Sequence, residues 1–254
     1  MFELFAFYSN ENNLAELIDA GIDGIIVDWE RKGKANRQNI YNTQINEHTF
    51  EDLSIVGKQD PANTICRLNA PDHLQPEEIE AAIDLGAKEI LVPMVRSVEQ
   101  VEIILNSVRD RVKVGLMLET VEALNIADRL NSLPIERFYV GLNDLGISRN
   151  NRNLFSPLLD GTIEELRPKI TKKFGIAGLT HPDLGSPIPC SLLIKQMKNH
   201  EVSFSFLRRS FYKDLDRYTA KDIIASLRDS FNDISNETTP LSVEEIASFN
   251  QVTI

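Results

Sequence analysis

The residues best suited to chemistry stand at the ends of short apolar runs. Gly24–Asp28 leads into Trp29 and Glu30, and Thr64–Leu68 carries Arg67 and is followed by Asn69. Lys113–Leu118 is followed by Glu119 and Thr120, and Arg137–Gly141 by Asn143 and Asp144. Carboxylates such as Glu119 and Asp144, brought from neighbouring strands, can share one divalent ion and leave coordination positions for water and substrate oxygens, which suits Mg²⁺. The other reading of the pair is structural: Glu119 caps a helix N-terminus and Asp144 serves an Asn-Asp turn. Arg67 is the more telling residue, because a guanidinium in an apolar strand must reach an anion or waste its desolvation. Its planar fork suits a carboxylate or enolate oxygen bound through two hydrogen bonds. An internal ion pair with Glu30 or Asp28 is the alternative.

The elements that must position these residues recur along the chain. Apolar, β-branched runs occupy Leu4–Tyr8, Gly24–Asp28, Thr64–Leu68, Glu89–Pro93, Lys113–Leu118, Arg137–Gly141, Gly175–Leu179 and Phe204–Arg208. Amphipathic stretches follow them at Asn12–Ala20, Phe50–Val56, Pro76–Leu85, Val98–Val108, Val121–Leu130, Ile163–Lys172, Ser191–Lys198 and Ala220–Phe231. Val101, Ile104, Leu105 and Val108 show the three-and-four spacing of one buried helical face. Continuous apolar runs are what strands buried on both faces look like. Eight strand–helix units in 254 residues predict an α/β protein with a (β/α)₈ TIM barrel. A doubly wound open sheet is the rival, and the chain has no GxGxxG turn to support it. The barrel is expected over 1–232, with 233–254 forming a linker and a C-terminal helix, Val243–Phe249, too short to hold itself, that packs either on its own barrel or, exchanged, on a neighbouring subunit. Ser242 and Glu245 are spaced as that helix's capping box. Long connections at Trp29–Thr49 and Leu142–Glu164 follow strand C-termini, the barrel face where active sites are built.

Composition narrows the partners. Lys plus Arg is 27 against Asp plus Glu 38, a net charge of -11 that argues against nucleic acid and anionic membranes as partners. Hydrophobic residues make up 42%, enough for a proper core. No run approaches a membrane span, and the opening Met1–Asn12 does not read as a signal peptide. Cys66 and Cys190 are far apart and show no CxxC spacing, and Cys66, inside an apolar run, reads as a buried small hydrophobe, so a reducing, cytoplasmic setting is expected. Arg31, Lys32, Lys34 and Arg37 form a basic cluster that reads either as a receiver of distal carboxylates or phosphates or as a solvated loop. His181, in the Pro- and Gly-rich segment 178–190, reads either as a residue of the mouth or as a turn histidine. Arg208-Arg209-Ser210 places a guanidinium near the mouth, and Trp29, the single Trp, reads as a packed aromatic or a pocket wall.

Several blocks together carry a resemblance: Gly-Ile-Asp-Gly-Ile-Ile-Val-Asp-Trp-Glu (21–30), Ile-Cys-Arg-Leu-Asn (65–69), Gly-Ala-Lys-Glu-Ile-Leu-Val-Pro-Met-Val (86–95), Met-Leu-Glu-Thr (117–120) and Gly-Leu-Asn-Asp-Leu (141–145). In this order and spacing the set resembles the HpcH/HpaI aldolase and citrate lyase beta-subunit family of the phosphoenolpyruvate/pyruvate barrel superfamily. The resemblance implies that Glu119 and Asp144 hold Mg²⁺, or another hard cation such as Mn²⁺, and that Arg67 meets a substrate oxygen. It implies carbon–carbon bond cleavage or formation beside a carbonyl, through a metal-held enolate, and assembly as a trimer or hexamer. Arg31 departs from it: pyruvate-dependent aldolases carry a histidine there and citrate lyase-like members an aspartate. A permanent cation replaces the imidazole that could move a proton. Glu30 or Asp28 is then the candidate base, with His48 as a second choice. Arg67, Arg31, His181 and Asn143 are the expected contacts to a small anionic carboxylic substrate, an oxo-acid or an acyl compound such as a CoA thioester. The competing readings are a barrel that binds metal and oxyacid without turnover in an accessory role, and another reaction of the superfamily such as a mutase or hydrolase.

Overall fold

Runs of mostly buried apolar residues form the strands of a closed parallel barrel in the computed structural model, which describes residues 2–32, 48–59, 63–208, 210–233 and 240–250. The strands are β1 (Glu3–Phe7), β2 (Gly24–Asp28), β3 (Thr64–Arg67), β4 (Glu89–Val92), β5 (Lys113–Leu118), β6 (Arg137–Val140), β7 (Lys173–Leu179) and β8 (Phe204–Leu207). They pair in chain order, and β8 closes on β1. The helices are α1 (Glu11–Asp19), α2 (Phe50–Gln59), α3 (Pro76–Asp84), α4 (Val98–Val108), α5 (Val121–Asn125), α6 (Ala127–Asn131), α7 (Leu142–Ser148), α8 (Thr162–Leu166), α9 (Cys190–Asn199), α10 (Phe211–Asp214), α11 (Ala220–Asn232) and α12 (Val243–Asn250). The barrel expected from the sequence is the observed fold. No helix among the described residues is long and apolar enough to cross a membrane.

Local chemistry sets the helix starts. Ser97 and Gln100 form a capping box on α4, Thr219 and Asp222 form another on α11, and Thr120 accepts the Ala123 N–H to start α5. Pro76 stands in the first turn of α3, where a missing N–H costs nothing. Three stretches depart from the sequence reading. Val121–Leu130 is two short helices, broken where Ile126 (φ -113°, ψ 15°) leaves the helical region. Ile163–Lys172 stops at Leu166 and continues as a 3₁₀ turn over Arg167–Lys169, because Pro168 cannot donate the next helical bond. The connection Leu142–Glu164 is not a plain loop: it holds α7 and a 3₁₀ turn at Ser156–Leu158. Its helix-poor Leu-Asn-Asp-Leu-Gly sequence hides α7, which burial of Leu142 and Leu145 supports instead.

The barrel lumen is stratified. Its middle is apolar, filled by Phe5, Ile26, Ile65, Leu91, Met117, Tyr139, Phe204 and Phe206. A bulge in β7 puts Ala177 at φ 54°, and its carbonyl accepts the Tyr139 hydroxyl at 2.6 Å. At the N-terminal end of the strands lies an ionic layer that the sequence reading missed. Arg137 donates to both carboxylate oxygens of Glu89 at 2.8 and 3.1 Å and to Glu3 at 2.9 Å, and Lys173 reaches Glu3 at 2.8 Å. A second ionic layer closes the opposite end. That layer is the candidate site.

The C-terminal helix docks on its own barrel. Phe249 is fully buried with its ring edge-on to Phe155 at 5.9 Å, Asn153 donates to the Phe249 carbonyl at 3.0 Å, and Lys195 meets Glu245 at 2.8 Å. Ser242 and Glu245 form the reciprocal bonds of a capping box, as their spacing predicts.

Candidate functional site

The register between β2 and β3 sets Asp28 beside Arg67. Arg67 donates through Nε to Asp28 Oδ1 at 2.8 Å and through Nη2 to Oδ2 at 2.6 Å, a two-pronged pair with both residues buried. Its Nη1 lies 3.4 Å from Glu30 Oε2 and 3.8 Å from the Met117 sulfur, and Phe7 stands 5.2 Å from the guanidinium carbon. Burial works against the guanidinium charge, but Asp28 first and Glu30 next outweigh it and push the Arg67 pKa up. Of the two readings of Arg67, the internal ion pair is present with both acids: Asp28 takes the Nε–Nη2 edge of the fork, and Glu30 is the looser partner at Nη1. Asp28 Oδ1 also accepts the Glu30 N–H at 3.2 Å, so both of its carboxylate oxygens hold neighbours in place.

Glu119 follows β5 directly and is 2% exposed, with Asp144 at 7% in the first turn of α7. The two readings of Glu119 separate here. Thr120, not Glu119, caps α5: its hydroxyl donates to the Val95 carbonyl at 2.6 Å and accepts the Ala123 N–H at 3.0 Å. Glu119 instead packs against the backbone of Gly141, the residue that follows β6 and caps α7, and accepts the Met94 N–H at 3.2 Å. A Cβ at Gly141 would lie 2.2 Å from Glu119 Oε1, so only glycine leaves room for this carboxylate. Met94 holds its N–H there from a left-handed conformation, φ 54°. Burial, then the charges of Asp144 and Glu30, push the Glu119 carboxyl well above the usual carboxylate range, while Arg67 pulls it back.

Buried carboxylates under mutual repulsion are a fitting seat for a cation. The Asn143 side-chain oxygen strengthens the fit, being buried with no hydrogen-bond partner. Among the described residues no three His, Cys, Asp or Glu side chains form a metal cage. Glu119, Asp144 and the Asn143 side chain offer only oxygen donors, the kind a hard ion takes together with water or substrate oxygens.

The rim of the mouth is tied together by polar bonds. Asn69 accepts the N–H groups of Arg31 and Lys32 at 2.9 Å each and is itself held by Glu78. The Arg31 guanidinium donates to the His48 carbonyl, and His48 Nδ1 accepts the Asp28 N–H at 2.9 Å. With Nδ1 so used, His48 positions the end of β2, and burial lowers its pKa. Of the basic cluster, Lys34 and Arg37 lie outside the described residues. Trp29 packs as a core aromatic on Phe50, and its indole N–H donates to the Thr49 carbonyl at 3.1 Å. His181 is buried, stacks on Tyr218 at 4.0 Å and accepts the Asp183 N–H at 3.2 Å, the contacts of a turn histidine. Gly141, Met94 and Phe7 escaped the sequence reading, because glycine at a strand end and apolar residues beside a carboxylate carry no chemical signal of their own.

The sequence matches no protein-family model and no curated protein. Solved structures share the fold. An HpcH/HpaI aldolase/citrate lyase family protein from Burkholderia cenocepacia superposes with a TM-score of 0.62 at 13% identity, over 89% of this chain and 95% of that one. An HpcH/HpaI aldolase from Desulfitobacterium hafniense gives 0.60 at 14% identity, over 88% and 92%. The citrate synthase SbnG gives 0.58 at 18% identity, over 91% and 95%. The barrel these proteins share is the one that the resemblance implied.

Proposed function

We propose that the protein is a divalent-metal-dependent carbon–carbon lyase or aldolase that forms an enolate from an oxo-acid or acyl carboxylic substrate. One observation carries the proposal: at the C-terminal mouth of the barrel, the buried acids Glu119 and Asp144 share an electrostatic environment with the Arg67–Asp28–Glu30 cluster. Glu119 and Asp144, with the Asn143 side-chain oxygen, would hold Mg²⁺ or Mn²⁺. When bound, the ion supplies positive charge against the substrate oxygen that becomes the enolate.

Arg67 supplies the complementary positive charge. Asp28 fixes its guanidinium plane, and Nη1 donates to the substrate carboxylate or carbonyl oxygen, so the donor is set before substrate arrives. Asp28 acts as a positioning residue in this scheme, since its oxygens already hold Arg67 and the Glu30 N–H. Glu30 is the base: its carboxylate accepts the proton lost from the carbon beside the carbonyl in the synthetic direction, and returns it after cleavage. Arg31, bound to the His48 carbonyl, moves no proton and helps to receive a distal carboxylate. A small anionic substrate and a homo-oligomeric assembly complete the proposal.

A second reading, a barrel that binds metal and oxyacid without turnover, draws on Arg31 standing where a histidine base is expected. Exchange of the pyruvate methyl protons into deuterium oxide, followed by NMR with Mg²⁺ present, decides between the two. The lyase reading requires metal-dependent exchange that Glu30→Gln lowers at least about a hundredfold, the scale of a lost general base. Pyruvate binding without exchange in the wild type supports the second reading.

A further inference from the structure

The connections that follow β7 and β8 enclose a second cleft, about 430 Å³, that shares no lining residue with the acid cluster. Its walls include Thr180, Ser186, Arg208, Lys213 and Arg217. Arg208 follows β8, half-buried, and donates from Nη2 to the carbonyl of Ser186, another lining residue, at 2.7 Å, which ties its guanidinium to the opposite connection. Lys213 and Arg217 follow four residues apart at the turn that ends α10, both exposed. None of these three cations makes an ion pair with a described residue, although the protein carries a net charge of -11.

The acids nearby offset them only in part, Asp214 lying within electrostatic reach of Arg208 and Arg217. Asp214 takes the Thr180 hydroxyl as its hydrogen-bond donor, and Asp216 is exposed at the edge. Three cations against two carboxylates leave the cleft positive. Guanidinium forks and an ammonium around one concavity match the three oxygens of a phosphate better than the two of a carboxylate. The loops after the seventh and eighth strands are also where (β/α)₈ barrels recurrently hold phosphate.

We infer that this cleft binds a phosphate group, as the free ion or as the ester end of a small molecule. The inference stands apart from the lyase reading, because it is tested on metal-free protein with no turnover. Full-length protein in EDTA is titrated by calorimetry with inorganic phosphate, glycerol phosphate and acetate. Saturable binding of a phosphate probe, with acetate silent, is expected. The Lys213→Gln/Arg217→Gln double variant weakens that binding at least about tenfold, through loss of charge-assisted hydrogen bonds. Its exposed positions leave the melting temperature unchanged, so lost binding is not lost folding. Tighter binding of inorganic phosphate points to the free ion; tighter binding of glycerol phosphate points to an ester. No saturable phosphate binding, equal binding of acetate, or undiminished binding in the double variant overturns the inference.

Discussion

Gly141→Ala tests the candidate metal seat without touching a charged group. The backbone at Gly141 (φ -82°, ψ 95°) is one that alanine adopts without strain, so the added methyl is the whole perturbation. That carbon would lie 2.2 Å from Glu119 Oε1, 2.6 Å from Cγ and 2.8 Å from Cδ. Ordinary contact begins near 3.4 Å, so the Glu119 side chain must retreat by about 1 Å. A shift of about 1 Å in a catalytic constellation costs on the order of a hundredfold, and disturbing the support of a metal ligand costs about 10- to 100-fold in affinity. The expectation is a Mn²⁺ affinity lowered by about 1.4–2.7 kcal/mol, with pyruvate proton exchange reduced at least in parallel. Titration calorimetry measures the first and NMR the second, on protein whose circular dichroism is unchanged. Mn²⁺ affinity within about twofold of wild type, in a folded variant, would show that Glu119 is not a ligand, and the proposed chemistry would go with it.

The remaining predictions concern the same carboxylate and the C-terminal helix. Because burial and its acidic neighbours raise the Glu119 carboxyl above its ordinary 4.5, stability from this group is present below that pH and is lost as pH rises through the folded value. Glu119→Gln therefore raises the melting temperature of the metal-free protein at neutral pH, an advantage that fades toward about pH 4. Mg²⁺ then stabilises wild type and not the variant; a metal-free variant less stable than wild type at neutral pH contradicts this. Truncation after Asp233 removes buried Phe249 and costs about 2 kcal/mol in urea unfolding, the burial of one aromatic side chain. Light scattering on the truncated protein reports on the assembly: a smaller species means that the helix also joins subunits, and an unchanged mass means that it serves only its own barrel.

The fold was readable because both-face burial writes a strand as an uninterrupted apolar run, and eight such runs alternating with helical spacing leave few architectures open. Ser242 with Glu245 was equally plain, since a capping box is local chemistry at a fixed spacing. α7 was hidden, because Asn143, Asp144, Gly146 and Ser148 among its seven residues are poor helix formers and burial of Leu142 and Leu145 supports it instead. Arg137 also escaped, although it shows the same pattern as Arg67, a guanidinium in an apolar strand. Its partners Glu3 and Glu89 lie 134 and 48 residues away, and no chain-local pattern joins them.

The candidate site divides the same way. The residue types at the strand ends, and hence an acid cluster facing a guanidinium, follow from the order of amino acids. Which acid clamps Arg67 does not: Asp28 and Glu30 are equivalent on paper, and only the β2–β3 register sets Asp28 beside the fork and leaves Glu30 at Nη1. The closeness of Glu119 to Gly141 likewise arises from barrel closure; Arg208, Lys213 and Arg217 are near neighbours in the chain, and the structure adds only the facing connection after β7 that makes them one wall of a cleft. Periodicity along a chain encodes which faces are buried; distances between charges are fixed by how strands line up across the sheet, a property of the closed barrel as a whole.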